Sequence, residues 1–357
     1  MIRVRPIFFS HLNNNLSVVW NLLLNQSCFP TFQYDFEYMS AWCKYLSGDW
    51  KPFLLMVEED NKTIGIFPLM HRDIKRRGIL PYRWIKFLGF NKTDFSLVLA
   101  SDINLPKVID ASLKWLFSGN FRWELIVLDD IVEGNPLVDA IKFWLEDHNK
   151  EFELKQGKYY YINMRREWED IRMEMSKKAI RRSINLARNR ITKAGPWKLI
   201  TDPEWSANLI INEASKMHIA RQEVLQRGSL YSEEEEKNFL RTIINHLRKN
   251  RIFRSHWLQF ENKYIAYMIG FEQKNIYFAW NMAFQPDYSH FFPSKLLIFE
   301  IIKESYEKKI EEFNFMRGES EYKKDWTKQY RANYRFIIKN TNSIYGKVAS
   351  FIDNFIH

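Results

Sequence analysis

The sequence predicts a mixed α/β protein built from two tandem copies of one unit. Three observations carry that prediction. The same order of strand-like and helix-like segments occurs twice along the 357 residues. Two hairpin-like segments with matching turns, Asn61-Lys62 and Asn262-Lys263, lie 201 residues apart. The composition, 46% apolar with 28 Phe, 17 Tyr and 13 Trp, can fill a core of two domains' size.

The first copy opens on a strand at 3–9, followed by amphipathic helices at about 15–26 and 35–47. FLLMVEEDNKTIGIFPLM, at 53–70, then alternates on both sides of a polar turn, the pattern of a hairpin. A third strand is expected at 84–99, a helix at 106–117 and a strand at 123–129. A further helix and the strand KYYYINM, 158–164, close this copy.

In the second copy a strand at 197–201 precedes helices at about 205–226 and 232–249. RSHWLQFENKYIAYMIGF, 254–271, repeats the hairpin pattern. A strand at 275–284, a helix at 294–308 and a strand at 311–316 come next, before a helix and the strand NYRFIIK, 333–339. Each copy therefore reads β-α-α-β-β-β-α-β-α-β. The expected domains are 1–164 and 165–357, each a mixed, mostly antiparallel sheet with flanking helices.

Charge is uneven along the chain. The total is 53 basic and 43 acidic residues, a net +10, which favours an anionic partner. From Arg165 to Lys193 ten basic residues face four acidic ones. Lys177, Arg181 and Arg188 share a helical face there, Met175, Ile180, Ile184 and Leu186 supply apolar positions, and Gly195-Pro196 ends the helix.

Several classes are excluded. None of the 12 glycines stands in a G-x-G or G-K-[ST] setting, so dinucleotide fingerprints and P-loops are absent. Cys28 and Cys43 form no disulfide framework and match no zinc spacing, so both read as buried thiols and no metal is expected. The N-terminus lacks the apolar run of a signal peptide, and no apolar stretch reaches membrane-spanning length. A cytoplasmic protein acting on a small molecule, not on DNA, is expected, with peripheral membrane contact compatible with its charge.

The doubled element order resembles the GNAT acyltransferase fold. FFPSKLLIFEIIKESYEKKIEEFNFMRGESEYKKDW, 291–326, resembles more narrowly the signature of the CelD/BcsL branch, associated with bacterial polysaccharide biosynthesis. The matching residues are Pro293, Arg317, Gly318, Glu321, Tyr322, Lys323 and Trp326, with Ser294 where that pattern has glycine. FLGFNKTDFSLVL resembles the branch's Thr-Asp-aromatic segment at Thr93, Asp94 and Phe95. SKKAIRRSINLARNRITKAG resembles its basic inter-domain helix, and MHIAR its His-x-x-Arg segment at His218 and Arg221.

The resemblance implies transfer of an acyl group, acetyl in the first instance, from acyl-CoA to the amine of a sugar or nucleotide-linked sugar. In a GNAT domain the pantetheine follows one strand and the pyrophosphate rests on the next helix N-terminus, where free amides and the helix dipole favour anions. That assigns Trp280, Asn281, His290, Pro293, Ser294 and Lys295 to the donor. Thr93, Phe95, Lys177, Arg181, His218, Arg221 and Arg317 are then acceptor-side residues. No Ser-His-Asp or Cys-His set favours a covalent enzyme intermediate, so the amine is expected to attack directly. Asp94, His218, His290, Glu321 and Tyr322 are candidates for proton handling, and Lys323 for holding an acceptor phosphate or stabilising the transition state. Asp94 and Lys323 are expected to be polar cleft residues whose loss leaves the fold intact. Tandem GNAT architecture also occurs in the Fem peptidyltransferases, for which the donor would be an aminoacyl-tRNA; a degenerate, non-catalytic binding protein is the third reading.

Overall fold

The computed structural model describes residues 1–9, 12–29, 31–76, 79–175 and 178–340. In chain order the first elements are β1 (Ile2–Phe8), α1 (Ser17–Gln26), α2 (Phe36–Tyr45), β2 (Lys51–Glu59), β3 (Lys62–Arg76), β4 (Ile79–Phe87) and β5 (Leu99–Ala100). They are followed by α3 (Leu105–Phe117), β6 (Leu125–Val132), α4 (Leu137–Asp147), β7 (Phe152–Asn163), α5 (Trp168–Glu174) and α6 (Lys178–Ala194). Next come β8 (Trp197–Thr201), α7 (Ala207–Val224), α8 (Glu234–Lys249), β9 (Phe253–Phe260), β10 (Lys263–Gln273) and β11 (Ile276–Phe284). The last are α9 (Pro293–Glu307), β12 (Glu312–Asn314), α10 (Glu321–Trp326) and β13 (Tyr330–Lys339). The repeated order expected from the sequence is present in the second copy and, with the short strand β5 added before α3, in the first.

The chain forms two compact units, Met1–Gly157 with Ala332–His357, and Lys158–Arg331. In the first unit the strands lie in the order β1-β2-β3-β4-β6-β13, with β5 beside β3. The second has the order β7-β12-β11-β10-β9-β8. Pairing is antiparallel except at one place in each. β4 runs parallel to β6 through Trp84–Leu125, Ile85–Ile126 and Lys86–Val127. β11 runs parallel to β12 through Ile276–Glu312, Tyr277–Phe313 and Phe278–Asn314.

The cores follow from periodicity. In α3 the buried residues Leu105, Val108, Ile109, Leu113 and Leu116 recur at helical spacing and pack on Phe53, Leu55, Phe67 and Leu69 of the sheet. The second unit is filled by Leu297, Ile301 and Ile302 of α9 with Ile180, Ile184, Ala187 and Ile191 of α6. The basic helix is thus a packed part of the second unit's core. Leu186, expected on its apolar face, is 41% exposed, because Ala187 takes that turn of the stripe.

Three further expectations are corrected. The strand expected at 84–99 ends at Phe87, where Gly89 (φ +88°) turns the chain and its carbonyl accepts bonds from the amides of Lys92 and Thr93. Cys43 is buried as expected, but Cys28 is exposed. The late strands also change places: Tyr161–Asn163 of β7 pair with β12, while Asn333–Lys339 of β13 pair with β6. The compact units therefore differ from the halves 1–164 and 165–357. Element order cannot reveal this, since either strand satisfies the same open edge locally.

Gly270 is required by packing. A Cβ there would lie 2.5 Å from the Tyr277 hydroxyl and 2.8 Å from the Phe278 carbonyl. Gly270→Ala should lower the unfolding free energy by about 1–3 kcal/mol, whereas Gly228→Ala, which meets nothing within 4 Å, should stay within about 0.5 kcal/mol; denaturant titration compares them.

Burial also holds the imidazoles of His71 and His256 down to about 4 from an ordinary 6.5. Both are neutral in the folded chain and gain a proton more readily when unfolded. Their contribution is present above the unfolded value and is lost as pH falls towards 4. The urea midpoint should decline across that window, and His256→Gln should flatten part of the decline.

Candidate active site

The second unit contains an open strand edge. β11 and β12 pair over three residues and then part, so among the described residues Ala279–Phe284 have no strand partner on the β12 side. On its other side β11 is irregular: Ile269 pairs with Asn281 and Gly270 with Ala279, leaving Trp280 as the extra residue of a bulge. A bulge bends its strand and redirects side chains. Unpaired backbone polar groups in such a groove require a partner from solvent or ligand.

A buried polar network holds the bulge. The Asn281 Oδ1 accepts from the hydroxyls of Tyr267 at 2.5 Å and Tyr231 at 3.1 Å. His218, on α7, lies edge-on to Tyr231, and its Nδ1 meets the Ser229 hydroxyl at 2.8 Å. Burial lowers its pKa. The guanidinium of Arg221, one turn along α7, stacks on Phe284 at 4.7 Å. His218 reaches the Asn281 network through Tyr231, and Arg221 meets β11 at Phe284; the network partners Tyr231 and Tyr267 carry no sequence signal beyond aromaticity.

At the end of the same strand the chain enters α9 through a strained residue. Phe292 adopts φ 51°, ψ 49°, a left-handed conformation costing roughly 1–2 kcal/mol for a residue with a Cβ. Pro293 occupies the first helical turn, and the amides of Lys295 and Leu296 return to the Phe292 carbonyl. Among the described residues the Ser294 amide has no partner. Arg190 of α6 donates to the His290 carbonyl at 3.0 Å and lies over the Phe292 ring at 5.4 Å. Arg188 pairs with Glu300 farther along α9. A 15-residue helix thus begins with an unpaired amide, a positive dipole end, Lys295 and Arg190, a combination that suits a phosphate.

β12 and the turn after it form the opposite wall. Arg331 holds Glu312 through two bonds of 2.7 and 2.6 Å, and Glu312 accepts from Asn314 at 2.9 Å. Asn314 in turn accepts the Met316 amide at 2.8 Å. Lys323, 4% exposed, donates to the carbonyls of Met316 at 3.0 Å and Arg317 at 2.6 Å. Met316 (φ +57°) and Gly318 (φ +104°) are both left-handed, so this lysine fastens a sharply turned segment. Tyr322 is 44% exposed, its ring edge-on to Phe315, and its surroundings raise its phenol pKa. Glu321 is exposed and paired with Lys324 at 2.6 Å. Arg317 is half-buried, and Trp326 belongs to the core.

With this geometry in view, the sequence comparison is direct. Residues 178–324 match the profile of the acetyltransferase (GNAT) domain. The match runs from the start of α6 to the middle of α10 and takes in the open edge, the α9 N-terminus and Lys323. Solved structures extend the fold likeness to the whole chain. FemX aligns with a TM-score of 0.62 at 10% identity, covering 96% of this chain and 99% of its own. A conserved protein of unknown function from Bacteroides thetaiotaomicron aligns at 0.58 and 12% identity, covering 94% and 100%. L-PGS from Bacillus licheniformis aligns at 0.54 and 12%, covering 94% and 96%. No curated protein matches the sequence. At these identities the likeness is one of fold, a mixed α/β GNAT-like architecture.

The first unit carries the same parting of parallel strands but fills it differently. In the last β4–β6 pair, Lys86–Val127, the lysine side chain meets Asp129 at 3.1 Å, with side chains only 4% and 5% exposed. The ammonium also lies over Phe90 at 3.4 Å and Trp84 at 4.5 Å. Desolvation pushes the lysine's pKa down and the aspartate's up. Asp94 is likewise buried: its Oδ2 accepts from Gln33 at 3.1 Å and its amide donates to the same side chain at 2.8 Å. The Thr93 hydroxyl donates to the Gly89 carbonyl, and Phe95 is half-buried. Arg181 donates to the Met173 sulfur; Lys177 lies outside the described residues.

Asp94 and Lys323 are therefore not the cleft residues dispensable for the fold that the sequence suggests: Asp94 is buried and tied to the Gln33 side chain, and Lys323 is buried and fastens the Met316 and Arg317 carbonyls. Lys323→Met should cost about 1–3 kcal/mol by removing the donor to the Met316 and Arg317 carbonyls, and a thermal melt compared with Lys324→Met, at an exposed ion pair, checks this.

Proposed function

We propose that this chain is an N-acyltransferase that takes its acyl group, acetyl in the simplest case, from acyl-CoA and delivers it by direct attack to an amine on a sugar or nucleotide-linked sugar. The observation carrying this reading is the edge of β11 left open beyond Phe278, followed in the chain by the α9 N-terminus with the Ser294 amide. A thioester carbonyl lying along that edge would accept a backbone N–H, which stabilises the oxyanion formed on attack. The pyrophosphate would rest at Ser294, Lys295 and Arg190, with Trp280, Asn281, His290 and Pro293 shaping the approach. The Ser294 Cβ belongs to a residue already helical, so the serine keeps the amide available.

The remaining chemistry is proton transfer. The amine must be neutral to attack, and His218, held below its ordinary value by burial, is a neutral base on the α7 face of β11. The thiolate leaving the carbonyl must gain a proton. Tyr322 keeps its phenolic proton at neutral pH and stands on the opposite wall. Lys323 acts through the turn it fastens, as a positioning residue. In this reading Thr93, Asp94 and Phe95 of the first unit contribute to acceptor recognition, as the resemblance implies.

Acetyl-CoA at a hundred times its Kd should raise stability by about 2.7 kcal/mol, and turnover should release one free thiol per acyl transferred. Tyr322→Phe should lower kcat by about a hundredfold with little change in KM for acyl-CoA, and Arg190→Ala should raise that KM. A second reading, an aminoacyl-tRNA donor, is favoured by the exposed Arg182 and Lys193 of α6. Turnover that is abolished by ribonuclease and releases no thiol would replace the first reading with the second.

A further inference from the structure

A cavity of about 580 Å³ lies in the second unit where α7, the β9–β10 turn and the segment after β11 meet. That volume falls within the range of roughly 300–1,000 Å³ usual for small-molecule sites. Its walls are chemically distinctive. Trp205, Tyr264 and Tyr288 line it, each only half-buried, although rings of this size normally bury far more of their surface in a core. Neighbouring rings hold them in place: Trp205 packs against Trp257 at 4.9 Å and edge-on to Tyr264 at 4.9 Å, while Tyr288 packs on Phe260 at 6.1 Å.

Between the rings stand hydrogen-bonding groups. Gln285 and Asn262 offer amides, and Glu213 and Asp287 offer carboxylates. Lys263 is the basic residue in the lining, and Lys216, beside it on α7, already pairs with Glu213 at 2.6 Å. The lining is therefore close to neutral or slightly acidic, in a chain of net charge +10. Two ligand chemistries use aromatic faces in this way: a flat nucleobase and the C–H face of a sugar ring. An adenosine bisphosphate would add several negative charges to a lining that holds two carboxylates and a single lysine, which gives it no electrostatic advantage there. A neutral pyranose has no such conflict, and its hydroxyls match amides and carboxylates as partners.

We propose that this cavity is a saccharide-binding site that takes a neutral pyranose unit, with its apolar face on the Trp205–Tyr264–Tyr288 rings and its hydroxyls on Gln285, Asp287 and Asn262. Gln285, Asp287 and Tyr288 lie in the segment that joins β11 to α9, and the proposal does not depend on acyl-CoA being the donor.

The test uses the full chain without acyl-CoA. Cellobiose and N,N′-diacetylchitobiose are titrated with tryptophan fluorescence and saturation-transfer NMR as readouts, and adenosine 3′,5′-bisphosphate serves as the competing chemistry. Saturable binding of at least one disaccharide, with transfer to ring C–H protons, is expected. Tyr288→Ala and Gln285→Ala should each weaken it by roughly three- to tenfold. Since Tyr288 also packs on Phe260, Asp287→Asn serves as a variant with no packing role, and a melt checks that each is folded. Absence of saturable binding by both disaccharides, binding unchanged in Gln285→Ala and Asp287→Asn, or tighter binding of the bisphosphate at this cavity would each overturn the proposal. A failure of acyl-CoA turnover with saccharide binding intact would count against the donor reading alone.

Discussion

Parallel pairing that stops after three residues is the constraint on which each unit depends. In the second unit β11 and β12 share only Ile276–Phe278 and Glu312–Asn314 before they diverge. The divergence is actively held: the bulge at Trp280 bends one strand, and Asn314 with Lys323 turns the other away. A sheet normally spends its backbone groups on neighbouring strands. Here a stretch of edge is kept in reserve, and what it can bind follows from the amides it exposes and the helix end beside it.

The first unit shows what the same constraint becomes when charge occupies it. Lys86 and Asp129 sit at the parting, almost without solvent, inside Trp84 and Phe90. A pair so buried loses hydration that its own attraction only partly restores, and Arg335 adds a longer contact to Asp129 at 3.9 Å. The second unit instead lines its bulge with uncharged phenols and an amide, Tyr231, Tyr267 and Asn281. Two copies of one element order have therefore diverged in electrostatics more than in topology.

Much of this was legible before any coordinates. The helices announced themselves by apolar periodicity, the hairpins by alternation around Asn61 and Asn262, and α9 by Pro293. Trp280 and Asn281 lie on the strand before that helix, and the bulge falls there. The role of Lys323 was not legible, because a lysine in a polar run looks the same whether it faces solvent or fastens two carbonyls. The Glu312–Arg331 and Asn281–Tyr231 bonds were equally hidden, joining residues 19 and 50 positions apart whose types carry no pairing code.

The sequence by itself determined the two-copy order of elements, the helical faces of α3 and α6 and the absence of nucleotide-binding glycine loops, since these rest on local periodicity and residue type. Only the tertiary structure decided which sheet each late strand joins, that Asp94 and Lys323 are buried ties, and that one parting is closed by an ion pair while the other stays open. The physical reason is that strand pairing, burial and desolvation are set by neighbours distant in the chain. Two strands with the same alternation are interchangeable until the edge that accepts each one has formed.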